Sequence, residues 1–196
     1  DMQKRIFIIH GWDGHPGEGI FPWLKKELQN RGFAVFNPSM PEPLNPQIDT
    51  WVSFLKQQIG APNKDTILFG HSIGAQTILR LLESFNENES IGGTVFLAGW
   101  THLTDEAYET DEDAIIAKPW LKTPLNWDNI QSHSSKFIAI FSDNDPFVPI
   151  SDAKIFESNL GAKIIIEHRK EHFSGSSGIK ELPSALEAVL EIAGEK

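Results

Sequence analysis

Short runs of apolar residues alternate along the chain with longer segments in which apolar residues recur at helical spacing. The runs are rich in Ile, Val and Phe and lack polar alternation, which is typical of strands buried on both faces of a parallel sheet. Six strands are predicted in this way: Arg5–Ile9, Ala34–Phe36, Thr66–Phe69, Thr94–Ala98, Phe137–Phe141 and Lys163–Glu167.

Five helices are predicted from the helical periodicity: Ile20–Arg31, Pro46–Gln58, Ile73–Phe85, Ser151–Asn159 and Ile179–Ile192. Gly32 is a candidate C-cap of the first helix, and Ser151 or Asp152 is a candidate N-cap of the fourth. Strands that alternate with helices indicate an α/β fold, with a doubly wound, mostly parallel six-stranded sheet flanked by helices in a single domain over residues 1–196. In such sheets, chemistry gathers at the carboxyl ends of the strands.

The segment Trp100–Ser134 interrupts this alternation. It holds three tryptophans, and its acidic residues have no basic neighbour: Asp105, Glu106, Glu109, Asp111, Glu112 and Asp113. We interpret it as a solvated excursion over the sheet edge. The alternative is a small cap that shapes a substrate pocket. The two interpretations are compatible if the tryptophans face inward and the acids face water.

Composition narrows the class of protein. The 196 residues suffice for one domain with a sizeable core. The net charge of -10 disfavours nucleic acid and anionic membranes as partners. The absence of cysteine excludes disulfides, thiolate metal sites and cysteine nucleophiles. The apolar run Ile6–Ile9 is too short for a signal-peptide core or a membrane span, so a cytoplasmic location is expected.

The pentapeptide Gly70-His71-Ser72-Ile73-Gly74 matches the G-x-S-x-G nucleophile elbow. It stands between a predicted strand and a predicted helix, which is the context that this motif requires. Glycine is needed on both sides because the turn is tight, and Ser72 then lies at a helix N-terminus, where negative charge is favoured. The alternative, in which Ser72 is only a helix N-cap, explains neither glycine.

A serine hydroxyl needs a general base, and in this type of site the base is a histidine that follows the acid in the chain. His172 comes just after the last predicted strand and before a Gly/Ser-rich loop, so it is the predicted base. His168 lies inside or at the end of that strand, and a metal pair of His168 with His172 lacks a third ligand. The other histidines precede Ser72 or lie in the irregular segment: His10, His15, His71, His102 and His133.

Two aspartates are candidates for the acid, and both follow the fifth predicted strand. Asp145 is followed by Pro146-Phe147-Val148-Pro149, a rigid stretch that would hold it in place, so we predict Asp145. Asp143 lies nearer the strand and could instead accept hydrogen bonds from loop N–H groups. Either residue alone could also be an Asx turn.

Acyl transfer also requires donors for the developing oxyanion. The N–H of Ile73, directly after the nucleophile, is one predicted donor. The loop His10-Gly11-Trp12 after the first strand supplies the other, and we assign it to the N–H of Trp12. The alternative for this loop is a glycine-rich turn without a catalytic role. His10 is expected to hold the loop by hydrogen bonds.

Together these motifs resemble the α/β-hydrolase superfamily over nearly the whole chain. More narrowly, they are similar to the small serine hydrolases of the YdeN and retinoblastoma-binding protein nine type. The features are the short length, the first strand leading into His10-Gly11-Trp12, the elbow at Ser72 and the late His172-Phe173. The resemblance implies a trimmed form of the fold that starts with the oxyanion strand. It also implies hydrolysis of small esters by Ser72, Asp145 and His172.

Three functions are compatible with these observations. The first is a serine hydrolase that forms an acyl-enzyme with a small-molecule acyl substrate and needs no cofactor or metal. The second is a non-hydrolytic enzyme on the same fold, such as a cofactor-free lyase or a perhydrolase. The third is an interaction protein without turnover, which the intact set of Ser72, Asp145 and His172 argues against.

Overall fold

A computed structural model of the chain describes residues 2–195. It contains one six-stranded sheet in the order β2-β1-β3-β4-β5-β6, and every strand pair is parallel. The strands are β1 Arg5–Ile9, β2 Ala34–Phe36, β3 Thr66–His71, β4 Gly93–Leu97, β5 Phe137–Ser142 and β6 Lys163–Glu167. The predicted doubly wound sheet is confirmed, and over residues 2–195 it is wholly rather than mostly parallel.

Seven α-helices accompany the strands: α1 Phe21–Asn30, α2 Ile48–Ile59, α3 Ile73–Glu83, α4 Asp111–Lys122, α5 Trp127–Ser132, α6 Asp152–Leu160 and α7 Pro183–Ala193. Short 3-10 turns lie at Asp105–Ala107 and Gly175–Ser177. The five predicted helices are all present. The largest error is at α7, which begins at Pro183 rather than Ile179 because proline favours the first turn of a helix. No helix between residues 2 and 195 combines the length and apolarity needed to cross a membrane.

Side chains of alternate strand residues enter two separate cores, one on each face of the sheet. Ile6 and Ile8 of β1 belong to the core that α1 and α7 cover, whereas Phe7 and Ile9 belong to the core on the opposite face. The central strand β3 is buried at all six positions. This burial on both faces explains why the strands appear in the sequence as continuous apolar runs.

The sheet order reverses between β1 and β3, because β2 lies on one side of β1 and β3 on the other. The register pairs Ile9 with Gly70, and His71 with Leu97. The loops that follow β1, β3 and β4 therefore leave the sheet side by side at one edge. A reversal of this kind opens a crevice at the carboxyl ends of the strands, where ligands bind in such folds.

The segment 100–134 holds two helices, α4 and α5, which the sequence analysis missed. In α4 only Ala117 and Trp120 are buried, and Pro119 lies inside the helix, so the apolar pattern is weak. The missed signal is a capping box, in which the Thr110 side chain accepts from the Asp113 N–H and the Asp113 carboxylate accepts from Thr110.

The orientation predicted for this segment is partly confirmed. Trp100 and Trp120 are each 1% exposed, whereas Trp127 is half-buried. Five of the six acidic side chains are exposed and the sixth, Asp113, is half-buried. A role of the segment 100–134 as a cap over a substrate pocket stays a prediction.

The two cap predictions have different outcomes. Gly32 follows α1 with φ +89°, in the left-handed region that favours glycine, as expected of a C-terminal cap. The N-cap prediction for α6 is wrong in its mechanism. Ser151 occupies the N-cap position but makes no side-chain cap hydrogen bond, and the Asp152 carboxylate accepts from Thr101 and His102 instead.

Candidate active site

Ser72 occupies the sharp turn between β3 and α3. Its backbone has φ 57° and ψ -119°, an unfavourable conformation for a residue with a side chain. The turn holds because a Cβ is absent on both sides. A Cβ on Gly70 would lie 2.7 Å from the Gly74 carbonyl, and one on Gly74 would collide with the Ile9 carbonyl. The glycines of the motif therefore have the steric role predicted for them.

Strained backbone conformations are concentrated at the carboxyl ends of the strands. The non-glycine residues of 2–195 with positive φ all lie in loops that follow a strand: Asp13, Glu42, Ser72, Ala98, Arg169, Glu171 and Phe173. Such conformations persist only where the surrounding structure enforces them, and they cluster at functional sites. Their distribution singles out the carboxyl edge of the sheet.

The structure brings together the three residues that the sequence analysis selected. His172 Nε2 lies 3.0 Å from Ser72 Oγ, and His172 Nδ1 lies 2.8 Å from Asp145 Oδ2. The second oxygen, Asp145 Oδ1, accepts from the N–H groups of Phe147 and Val148. Because the side chain of Asp145 is only 3% exposed, these bonds hold a largely dehydrated carboxylate against the imidazole.

Asp143, the alternative acid, is engaged elsewhere. It accepts from the Arg169 N–H at 2.8 Å and lies 2.6 Å from Nδ1 of His168, an exposed residue just past the end of β6. The Arg169 N–H, followed by the bond to His168, lowers the pKa of the Asp143 carboxyl. Its expected bond to a loop N–H is present, and the carboxylate that bonds to His172 is that of Asp145 instead.

His71, which chain order excluded as a base, supports His172, the predicted base. It is buried, and its Nε2 lies 2.7 Å from the backbone carbonyl of His172. Burial, followed by repulsion from His172, lowers the pKa of His71 to about 3. The ring is therefore neutral at physiological pH and its Nε2–H donates to the His172 carbonyl. This contact crosses 101 positions of sequence, so local sequence patterns cannot predict it.

His10 holds the loop after β1, as expected. Its Nε2 accepts from the Met40 N–H at 2.9 Å, and its Nδ1 lies 2.8 Å from the Gly11 carbonyl, to which it donates. Burial lowers the pKa of His10, so this pattern of one accepting and one donating nitrogen is the neutral form.

The two predicted oxyanion donors border Ser72. A Cβ on Gly11 would lie 3.5 Å from Ser72 Cβ, which shows how closely the loop of Trp12 approaches the nucleophile. Within residues 2–195, neither the Trp12 N–H nor the Ile73 N–H has a hydrogen-bond partner. Both groups are thus free to bind an incoming oxygen, although a donor role stays a prediction.

A further contact to Ser72 was missed by the sequence analysis. Trp100 Nε1 lies 3.1 Å from Ser72 Oγ, and the side chain is almost completely buried. Trp100 follows the end of β4, and this position at the carboxyl edge was the available signal. The sequence analysis assigned Trp100 no role beside Ser72.

A cavity of about 440 Å³ opens above Ser72 and His172. Its apolar and aromatic lining residues are Trp12, Leu44, Trp100, Leu103, Ala107 and Phe147, and its acidic lining residues are Asp13, Glu18, Glu109 and Asp113. No lysine or arginine of the described chain lines it. The cavity lining therefore combines apolar and aromatic side chains with four carboxylates.

Comparisons with known proteins identify the family. The family model described as "Serine hydrolase" matches residues 6–191. The YdeN protein of Bacillus subtilis is 28% identical over 182 residues, covering 93% of this chain and 92% of YdeN. The serine hydrolase RBBP9 of Rattus norvegicus is 25% identical over 169 residues, covering 85% of this chain and 80% of RBBP9.

Solved structures confirm the fold. The crystal structure of the B. subtilis ydeN gene product matches with a TM-score of 0.87 and 25% identity, covering 98% of this chain and 100% of that one. Est1E of Butyrivibrio proteoclasticus, with ferulic acid bound, matches with a TM-score of 0.73 and 14% identity, covering 98% and 90%. The second likeness concerns the fold alone.

The buried neutral His71 predicts a loss of stability in acid. The unfolded chain protonates this histidine near the ordinary pKa of about 6.5, whereas the folded protein does so near 3. Stability is therefore complete above about pH 6.5 and falls as the pH drops toward 3. Between pH 7 and 5, His71 should account for a loss of about 2 kcal/mol in the free energy of unfolding.

The variant His71→Gln keeps an N–H donor but cannot titrate. Its free energy of unfolding in urea, measured at pH 7 and pH 5, should therefore fall by about 2 kcal/mol less than that of the wild type. The exposed His15 supplies the control, since His15→Gln should keep the wild-type pH dependence. Equal pH dependence in His71→Gln and wild type would contradict the assignment.

Proposed function

The chain belongs to the serine hydrolase family, and on that premise we propose that it cleaves small carboxylic esters or related acyl compounds with Ser72 as nucleophile. Membership makes the protein a hydrolytic enzyme, which sets aside the non-hydrolytic enzyme and the interaction protein. The observation that carries the proposal is the chain of contacts from Ser72 Oγ through His172 to Asp145.

In the proposed reaction, His172 Nε2 takes the Ser72 proton while Oγ bonds to the acyl carbon of the substrate. The carbonyl oxygen becomes an oxyanion. As the tetrahedral intermediate collapses, the bond to the leaving alcohol breaks and His172 returns its proton to that alcohol. The acyl group stays on Ser72. A water then attacks the acyl-enzyme by the same route, releasing the acid and restoring the Ser72 hydroxyl.

Asp145 has an electrostatic and orienting role in this scheme. Its Oδ2 accepts from Nδ1–H of His172, which leaves the lone pair of Nε2 directed at Ser72. During the reaction the imidazole becomes positively charged, and the largely buried carboxylate stabilises that charge. The two N–H bonds from Phe147 and Val148 keep Asp145 in place.

The oxyanion is assigned to the N–H groups of Trp12 and Ile73. Ile73 is the first residue of α3, so its N–H has no intrahelical acceptor and the helix dipole adds to its attraction for negative charge. The loop of Trp12 lies against Ser72 from the other side. Two preorganised donors of this kind lower the barrier without rearrangement during the reaction.

The segment 100–134 acts as a small cap in this proposal. Leu103, Ala107, Glu109 and Asp113 all line the cavity over Ser72. The cavity of about 440 Å³ lies within the range of small-ligand sites. The four carboxylates of its lining disfavour a long apolar chain, so the proposed substrates carry short acyl groups. These carboxylates also disfavour substrates with a negative charge close to the reacting carbonyl.

The role of Ser72 can be tested directly. Ser72→Ala should retain the fold and lose about a millionfold in ester turnover, since the nucleophile is removed. A fluorophosphonate probe should modify the wild type at Ser72, located by peptide mass spectrometry, and leave the variant unmodified. Modification of another residue, or unchanged turnover in Ser72→Ala, would contradict the proposal.

The acid can be identified with two matched variants on one loop. Asp145→Asn removes the charge that orients His172 and should lower ester turnover roughly ten-thousandfold. Asp143→Asn is the control, because the Asp143 carboxylate bonds to His168 and the Arg169 N–H rather than to His172. It should retain most of the activity. The reverse ranking in kcat/KM would move the acid to Asp143.

The cavity predicts a preference for short acyl groups. For p-nitrophenyl esters, kcat/KM should be higher with a four-carbon acyl group than with a twelve-carbon group, because the four carboxylates in the cavity lining leave little apolar surface on which a longer chain could be buried. Each rate is corrected for the rate with Ser72→Ala, which removes spontaneous hydrolysis from the comparison. A steady rise in kcat/KM up to twelve carbons would show that the cavity does not limit the substrate.

A further inference from the structure

The hydroxyl of Ser72 has two buried neighbours, and the chemistry of both fixes the direction of its hydrogen bonds. An indole nitrogen only donates, so Trp100 Nε1–H must donate to Ser72 Oγ at 3.1 Å. His172 holds its own proton on Nδ1, facing the Asp145 carboxylate, so its Nε2 can only accept. The proton of Ser72 therefore points to His172, and one oxygen lone pair binds Trp100.

The backbone turn before Trp100 places this residue beside Ser72. β4 ends at Leu97, and Ala98 then adopts φ +48°, a conformation that side-chain-bearing residues rarely take. Gly99 follows in close packing, since a Cβ there would lie 3.1 Å from Ala75 Cβ and from Phe156 Cζ. This strained turn directs the chain from the strand end to the side of Ser72.

Two buried polar side chains then hold the backbone around Trp100. Gln76 of α3, 1% exposed, donates from Nε2 to the Trp100 carbonyl at 2.9 Å. Asp152 of α6, fully buried, accepts from the Thr101 N–H at 2.7 Å and the His102 N–H at 3.0 Å. Buried polar groups are costly unless they are bonded, and both of these bind this one segment. The indole is thus preorganised rather than free to move away.

We propose that Trp100 is a positioning residue for the nucleophile, whose indole N–H holds the Ser72 hydroxyl in the rotamer that donates to His172. A serine side chain has three staggered rotamers, and the bond from Trp100 selects the one facing the base. This inference rests on the proposed function of Ser72. Loss of one such hydrogen bond should lower the rate of attack by Ser72 about tenfold.

The test removes the N–H group and keeps the shape of the side chain. Site-specific replacement of Trp100 by 3-benzothienylalanine exchanges the N–H for sulfur, and Trp100→Phe serves as the genetic counterpart. The matched control is the same replacement at Trp51, which is equally buried and donates to the Pro41 carbonyl instead. The measurements are the rate constant for fluorophosphonate labelling of Ser72, and kcat and KM for a short ester.

We expect the Trp100 analogue to lose about tenfold in labelling rate and in kcat, with little change in KM. The Trp51 analogue should remain close to the wild type. A second readout does not depend on activity. The indole N–H proton resonance of Trp100, assigned by its absence in Trp100→Phe, should shift in Ser72→Ala, while the Trp51 resonance should not.

Three results would overturn the proposal. The analogue at Trp100 could react as fast as the wild type, which would leave Trp100 with a packing role only. A loss of a hundredfold or more would instead identify the N–H as an oxyanion donor. If the indole N–H resonance of Trp100 were unchanged in Ser72→Ala, the hydrogen bond between Trp100 and Ser72 would be refuted. If the wild type is not labelled at Ser72, the proposed function fails separately, and the resonance still decides whether Trp100 binds Ser72.

Discussion

The site depends on the close approach of the start of α3 to the end of β1. Gly74 lies so near the Ile9 and His10 carbonyls that a Cβ there would collide with both. This contact forces the turn at Ser72 into its strained conformation and brings the loop of Trp12 against the serine. Ser72 and the loop of Trp12, the proposed nucleophile and oxyanion loop, are thus placed by one steric constraint, which only glycine at position 74 satisfies.

The end of β3 also supports His172, the proposed base, although His172 is 100 positions away from Ser72. His71 directly precedes the serine and donates to the His172 carbonyl from the interior of the protein. Burial keeps the pKa of His71 low, so the ring remains a neutral donor at neutral pH. A residue with a higher pKa there would become a cation beside the imidazole of His172.

Local sequence patterns predicted the features that depend on neighbouring residues, such as strand ends and the turn at Ser72. The ends of β1, β2 and β6 were predicted to the residue, since each is a distinct apolar run. The elbow glycines and the loops of Asp145 and His172 follow from motif and chain order. The helix α4 was missed because it buries only Ala117 and Trp120, and the contacts of His71 and Trp100 were missed because their partners are distant in sequence.

The segment 100–134, which lines the cavity over Ser72, is held in place by side chains of α3. Gln76 and Arg80 are spaced four residues apart and share one face of this buried helix, whose N-cap residue is Ser72. Gln76 donates to the Trp100 carbonyl. Burial lowers the pKa of Arg80. The Arg80 guanidinium donates to the carbonyls of Trp120 and Thr123 at the end of α4. These carbonyls have no intrahelical donor, so a buried cation stabilises them. The helix that begins directly after Ser72 therefore also holds the segment that lines the cavity. Because Arg80 bonds to Gln76, Gln76 to the Trp100 carbonyl and Trp100 to Ser72, substitution of Gln76 or Arg80 should alter the surroundings of Ser72.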